Sequence, residues 1–339
     1  MKNQSNFSML SHFAVISSFL VPIIILYYLF PESFVTTWKG RTFYMFFVWL
    51  MFLETYINWE KLKTKAPFKL QQWKTIPFLF FLVFPTVFIF GLYFLEWEIF
   101  IGDLTKDISS APAHYWSLSF EYIIFTICLS VLLLLKYGVE GLKLFSISTA
   151  FVGVIGSIYL LDTMYPYGAF QPFQALVPVT AYCAAQLLNS MGYKTTLASG
   201  LHGTTRLKLY NASGTYLVGY DIAWPCAGVH SLILYSLVIL LFLKQLKLSA
   251  FQKFVCYIVG AIVTFFLNVL RIVSIYLVTV NYGQDAARVF HDYYGELYVV
   301  LWTLAYPFLI MGFQKLWLRT RVERILKIEE NSVSFKSVV

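Results

Sequence analysis

The sequence predicts an all-α polytopic membrane protein with eight transmembrane helices, cytoplasmic N- and C-termini and a small extracytoplasmic β-hairpin. Three observations predict it. Of the 339 residues, 59% are hydrophobic and only 12% charged, where a soluble domain carries roughly 25% charged residues. Apolar runs long enough to cross a ~30 Å hydrocarbon layer, about 20 residues each, recur along the chain. Lysine and arginine gather beside particular runs, which sets orientation because such residues mark the cytoplasmic side. The net charge of +8 lies in those clusters. It therefore implies no nucleic-acid partner, although the same residues would also attract anionic lipid.

The predicted spans are 11–30, 43–59, 76–95, 119–136, 144–161, 226–243, 254–277 and 296–317. The first is long and has no small-residue cleavage site after it, so it reads as a span rather than a signal peptide. Lys61, Lys63, Lys65, Lys69 and Lys74 place the second loop inside. The acidic loop 96–118 then falls outside, and Lys136 and Lys143 return the chain to the cytoplasm. From the other end, the basic stretch 315–327 and the Lys244/Lys247/Lys253 turn are cytoplasmic, so 192–225 lies outside. Both ends of the less apolar run 172–191 are then outside. That run is expected to be re-entrant or to lie on the surface. Lys39 and Arg41 run against this scheme, because they fall in an outside loop.

Four regions follow: five N-terminal spans (1–161), an extracytoplasmic segment (162–225), a three-helix region (226–318) and a basic cytoplasmic tail (319–339). Within 193–222, Arg206–Tyr210 alternates, Asn211-Ala212-Ser213-Gly214 supplies turn residues and Thr215–Ile222 is rich in β-formers, which predicts a hairpin. Asn211-Ala212-Ser213 is also a glycosylation sequon, but a tight turn accounts for it.

The hairpin leads into Trp224-Pro225-Cys226-Ala227-Gly228-Val229-His230-Ser231. Proline suits the first position of a helix, which would put Cys226 at about the second, where free N–H groups and the helix dipole favour thiolate. Cys128 and Cys256 sit in apolar runs as packing residues, and Cys183 has no activating context. At 1.5 Å per residue, Arg271 lies roughly 25 Å from the cytoplasmic start of its span, near the outer boundary. His291 falls in the outer loop before the last span. Cys226, Arg271 and His291 therefore share one membrane face.

Each residue type suits a role in acyl chemistry. A thiolate attacks a carbonyl and holds the acyl group as a thioester. A histidine moves protons to the leaving group and from the incoming nucleophile. An arginine stabilises the oxyanion. His230 is i+4 from Cys226 and would share its helical face, assisting the thiol. Asn268, one turn before Arg271, would orient the guanidinium or pack helices. Ordinary readings stand beside these: a packing cysteine, an arginine snorkelling to headgroups, a loop histidine.

CAGVHS at a span start, NVLR in the next span and HDYYG before the last resemble the archaeosortase/exosortase family of multi-pass cysteine transpeptidases. The resemblance covers about 205–300, and its order and spacing carry more weight than any one motif. It implies that Cys226 is the nucleophile and that Arg271 and His291 complete the site, with His230 where many members carry arginine. It also implies the partners: exported proteins ending in a short motif, a transmembrane helix and a basic tail, and a membrane lipid or lipid-linked acceptor. The location implied is the plasma membrane, with the site at its extracytoplasmic face. No cofactor or metal is expected. Two other classes remain: a membrane metallohydrolase using Cys226, His230 and His291 or His202 as ligands, and a non-enzymatic transporter or scaffold.

Overall fold

The computed structural model describes residues 2–36, 39–64, 72–166, 171–200, 204–295 and 297–315. Among the described residues, five helices are long and apolar enough to cross a membrane: Lys74–Phe94, Ala113–Tyr137, Ser146–Met164, Ala250–Tyr282 and Gln284–Lys315. Three shorter apolar helices, Phe13–Leu29, Thr42–Ile57 and Val229–Gln245, coincide with the remaining expected spans. The basic tail from 316 onward and part of the 61–69 lysine cluster lie outside the described residues.

The chain divides into two compact units. The first comprises Met1–Val179, Thr196–Lys208 and Gly219–Pro225; the second comprises Thr180–Thr195, Leu209–Val218 and Cys226–Val339. In chain order the helices are α1 (Lys2–Leu29), α2 (Thr42–Ile57), α3 (Trp59–Thr64), α4 (Gln72–Phe94), α5 (Trp97–Thr105), α6 (Ala113–Tyr137), α7 (Val139–Leu144), α8 (Ser146–Met164), α9 (Gln171–Gln174) and α10 (Val177–Ser190). Strands β1 (Lys194–Ser199), β2 (Thr205–Tyr210) and β3 (Tyr216–Ile222) form one sheet in that order. Then follow α11 (Val229–Gln245), α12 (Ala250–Tyr282), α13 (Gln284–Val289), a π-helical turn (Phe290–Tyr294) and α14 (297–315).

The first unit is packed around α6. Small residues let α8 approach it: Gly153 faces Thr126, and Gly156 faces Tyr122 and Ile123. Close backbone approach at small residues is how helices associate where lipid removes the hydrophobic drive. Aromatic rings fill the rest, with Tyr44 stacked on Tyr122 at 4.2 Å and Phe19 edge-on to Phe47 and Phe125.

Among the described residues of this unit, the buried charged groups Arg41, Glu54, Glu121 and Asp162 each have a polar partner. The Glu54 carboxylate on α2 accepts from the backbone N–H groups of Ile147 and Ser148 at 3.0 Å each and from the Ser148 hydroxyl at 2.7 Å. It caps the N-terminus of α8, where the helix dipole favours an anion. Glu54→Ala is expected to lower stability by about 2–3 kcal/mol, the scale of a lost cap plus stranded donors. Thermal unfolding of the detergent-solubilised protein reads this, and an unchanged midpoint would rule the cap out.

Lys39 and Arg41 are paired within the first unit. The Lys39 ammonium pairs with Asp162 at 2.7 Å and lies 4.2 Å from the centre of the Tyr115 ring. Arg41 forms two hydrogen bonds to Glu121, at 2.6 and 3.0 Å. Internal neutralisation removes both cations from the charge pattern that orients the chain. Asp162 also accepts from the Trp224 indole N–H at 3.1 Å, and Trp224 is buried.

One expectation about residues 162–225 changes. The hairpin has a third strand, β1, whose residues are mostly exposed and therefore carry little alternation. The run 172–191 forms α9 and α10. The latter has 14 residues, about 21 Å of rise, too short to cross a ~30 Å layer. The turn between β2 and β3 is closed by Asn211, whose Oδ1 accepts from the Thr215 N–H at 2.8 Å and the Ser213 hydroxyl at 2.6 Å.

In the second unit, α11, α12 and α14 are stitched by side-chain donors onto α12 carbonyls. Tyr235 donates to the Tyr257 carbonyl at 2.9 Å, Tyr306 to Cys256 at 2.7 Å and Trp302 to Gly260 at 3.3 Å. This is the frame beneath the site.

Candidate active site

Four of the residues marked by the sequence converge in the second unit. The sulfur of Cys226 lies 3.5 Å from Nε2 of His291, although 65 positions separate them in sequence. On the far side of the imidazole ring, Nδ1 is 2.8 Å from Oδ1 of Asp292. The ring is thus held between a sulfur and a carboxylate, the arrangement in which a carboxylate fixes the orientation and tautomer of a base. The sequence offered Asp292 only as a neighbour of His291, and adjacency along the chain hides such a contact.

Cys226 is not at the second position of a helix, and Pro225 is not at the first. Residues 224–228 form a turn, and α11 begins at Val229 with Gly228 as its N-cap at φ 99°. A left-handed conformation suits glycine, and the helix starts four residues later than the proline suggested, at Val229 rather than Pro225. Side chains from other elements hold this turn by its carbonyls. Asn268 Nδ2 donates to the Cys226 carbonyl at 2.8 Å, and Thr180 Oγ1 donates to the Ala227 carbonyl at 2.9 Å. Both Asn268 and Thr180 are fully buried. A Cβ at position 228 would also come within 3.1 Å of Asn268 Nδ2, a tight contact that would press on the amide holding the turn.

Two expectations are corrected by this turn. His230 does not share a helical face with Cys226, because only His230 is inside α11; it is buried at 4% exposure. Asn268 does not orient the Arg271 guanidinium; its amide is spent on the nucleophile turn. Thr180 was missed by sequence reasoning, since nothing in a short apolar helix distinguishes one threonine.

Arg271 is buried at 5% exposure. Its Nη2 donates to the His291 carbonyl at 3.4 Å. His291 therefore presents its ring to the cysteine and its carbonyl to the arginine. Among the described residues, no group of three or more His, Cys, Asp or Glu could hold a metal ion. His202 lies outside the described residues.

His291 lies in the π-helical turn Phe290–Tyr294, within the apolar stretch Gln284–Lys315. Cys226→Ala removes the sulfur that stands 3.5 Å from its Nε2 and is expected to move the ring resonances of His291, as read by NMR of labelled histidine. Unmoved resonances would mean that sulfur and ring do not pair.

No curated protein and no solved structure matches the chain. Residues 37–310 match the transmembrane exosortase family, and since that stretch is most of the chain, the chain belongs to this family.

Proposed function

We propose that this protein is a membrane-embedded cysteine transpeptidase that cleaves the C-terminal sorting signals of exported proteins and passes them to a membrane-linked acceptor. The observation that carries the proposal is the contact between Cys226 and His291, with Asp292 behind the ring. Family membership supports it, since exosortases are cysteine-type transpeptidases that act on exported proteins bearing such signals.

Cys226 attacks the scissile carbonyl as thiolate, and the carbonyl π electrons move onto oxygen. The fixed charge of Arg271 stabilises that oxyanion; losing one such donor typically costs about 3–4 kcal/mol of barrier. As the C–N bond breaks, the His291 imidazolium protonates the leaving amine. The sorted protein is then a thioester on Cys226 and the imidazole is neutral. An acceptor hydroxyl or amine gives its proton to His291 as it attacks the thioester, and thiolate leaves with the imidazolium restored. Asp292 keeps Nε2 aimed at the sulfur through both halves. The eight spans, the cytoplasmic termini and the extracytoplasmic plasma-membrane face belong to the same proposal. They are supported by the eight apolar helices and by the lysine-rich loops.

The test is capture of the acyl-enzyme. Full-length protein mixed with a peptide carrying a motif, an apolar helix and a basic tail, without acceptor, is expected to gain a hydroxylamine-sensitive adduct on Cys226. Cleavage of the peptide with no such adduct would overturn the mechanism.

A further inference from the structure

We infer that Gly295 is a positioning residue, a glycine because the side chain of Arg271 occupies the space where a Cβ would stand. Gly295 follows the π-helical turn Phe290–Tyr294 and closes it, its N–H donating to the Phe290 carbonyl at 2.7 Å. Its backbone does not demand glycine: at φ −59° and ψ −33° any residue would fit. Space is the constraint. A Cβ at 295 would lie 2.6 Å from Arg271 Nε, 3.4 Å from Arg271 Cδ and 3.3 Å from the His291 carbonyl oxygen. Real Cβ atoms do not approach this closely, so one of these groups must move. Arg271 is buried and cannot swing to solvent.

The consequence reaches both sides of the site. Arg271 rests on the Gly295 backbone at its stem and on the His291 carbonyl at its fork. The same five-residue turn carries the ring that meets Cys226. One turn thus sets the guanidinium and the imidazole together, and bulk at 295 separates them. The inference rests on the proposed roles of Arg271 and His291, but the seating of the arginine is measurable without any turnover.

The experiment is a double-mutant cycle of Gly295→Ala and Arg271→Ala in the full-length, detergent-solubilised protein. Gly295→Ala alone is expected to lower kcat roughly 100-fold, the scale of a 1 Å misplacement, with KM within about twofold. In the Arg271→Ala background, where the obstructing atoms are gone, the same substitution is expected to change the residual rate by less than about twofold. The titration midpoint of His291 supplies the readout independent of activity. Gly295→Ala is expected to shift it in the wild-type background and to leave it unmoved when Arg271 is alanine. If Gly295→Ala fails to fold, the double variant is expected to regain the fold, because the clash is with Arg271. Equal losses in both backgrounds, or a double variant as unfolded as the single, would overturn the inference. A coupled His291 shift in a protein without transpeptidase activity would uphold the seat and sink the proposed function instead.

Discussion

Cys226→Ala is expected to abolish cleavage of tailed exported proteins, with a loss on the order of a million-fold in kcat, the scale seen when a covalent nucleophile is removed. That corresponds to about 8 kcal/mol of barrier. The structure makes the substitution a clean one. The two hydrogen bonds that hold the nucleophile turn end on the main-chain carbonyls of Cys226 and Ala227, and alanine keeps both. Gly228 and its left-handed backbone are untouched. A dead variant with an unaltered melting curve therefore reports lost chemistry rather than a lost turn. Cys226→Ser is expected to be nearly as inert, because a hydroxyl is not ionised by a histidine at this distance as a thiol is. The measurement is processing of a co-expressed surface protein carrying motif, apolar helix and basic tail. Undiminished processing by Cys226→Ala would remove the cysteine from the mechanism.

How much of this was legible in the sequence depended on which physical constraint wrote each part. The apolar helices were readable because a bilayer imposes length and composition on every span. Chemistry-bearing residues stood out where such residues are expensive: Arg271 inside an apolar run, Cys226 beside Pro225 and Gly228. The contact between Cys226 and His291 was not written in any spacing, since topology alone brings positions 226 and 291 together. The start of α11 was misplaced because Pro225 is a good first residue for a helix, while Gly228 is the residue that breaks the chain direction. Partners that are backbone carbonyls were invisible. Asn268 and Thr180 hold the turn through groups every residue possesses, so no side-chain pattern marks them. Strand β1 escaped for the opposite reason, being exposed along nearly its whole length and so lacking alternation.

The cations that resisted the charge pattern, Lys39 and Arg41, lead to the largest expected effect on stability. Glu121→Ala is expected to destabilise the first unit by about 3–5 kcal/mol, because it leaves a buried guanidinium without its counter-charge. Arg41 is 7% exposed and Glu121 fully buried. Arg41 also donates to Tyr93 at 2.6 Å and Ser33 at 3.2 Å and lies 4.8 Å from the centre of the Phe30 ring. These contacts orient the guanidinium but carry no negative charge. Tyr93 and Tyr44 donate hydroxyls to the same carboxylate, so the alanine variant strands two further donors. Glu121→Gln keeps acceptor shape and removes only the charge; it is expected to fall between wild type and alanine. The double change Arg41→Met with Glu121→Met is expected to recover much of the loss, since replacing a buried pair by apolar volume is often close to neutral while breaking it is not. Thermal unfolding of the four proteins decides the matter. If Glu121→Ala melts as wild type does, the pair contributes nothing, and Arg41 then has no internal counter-charge that matters. In that case its positive charge returns to the topological count, and the orientation assigned to the first loop has to be reconsidered.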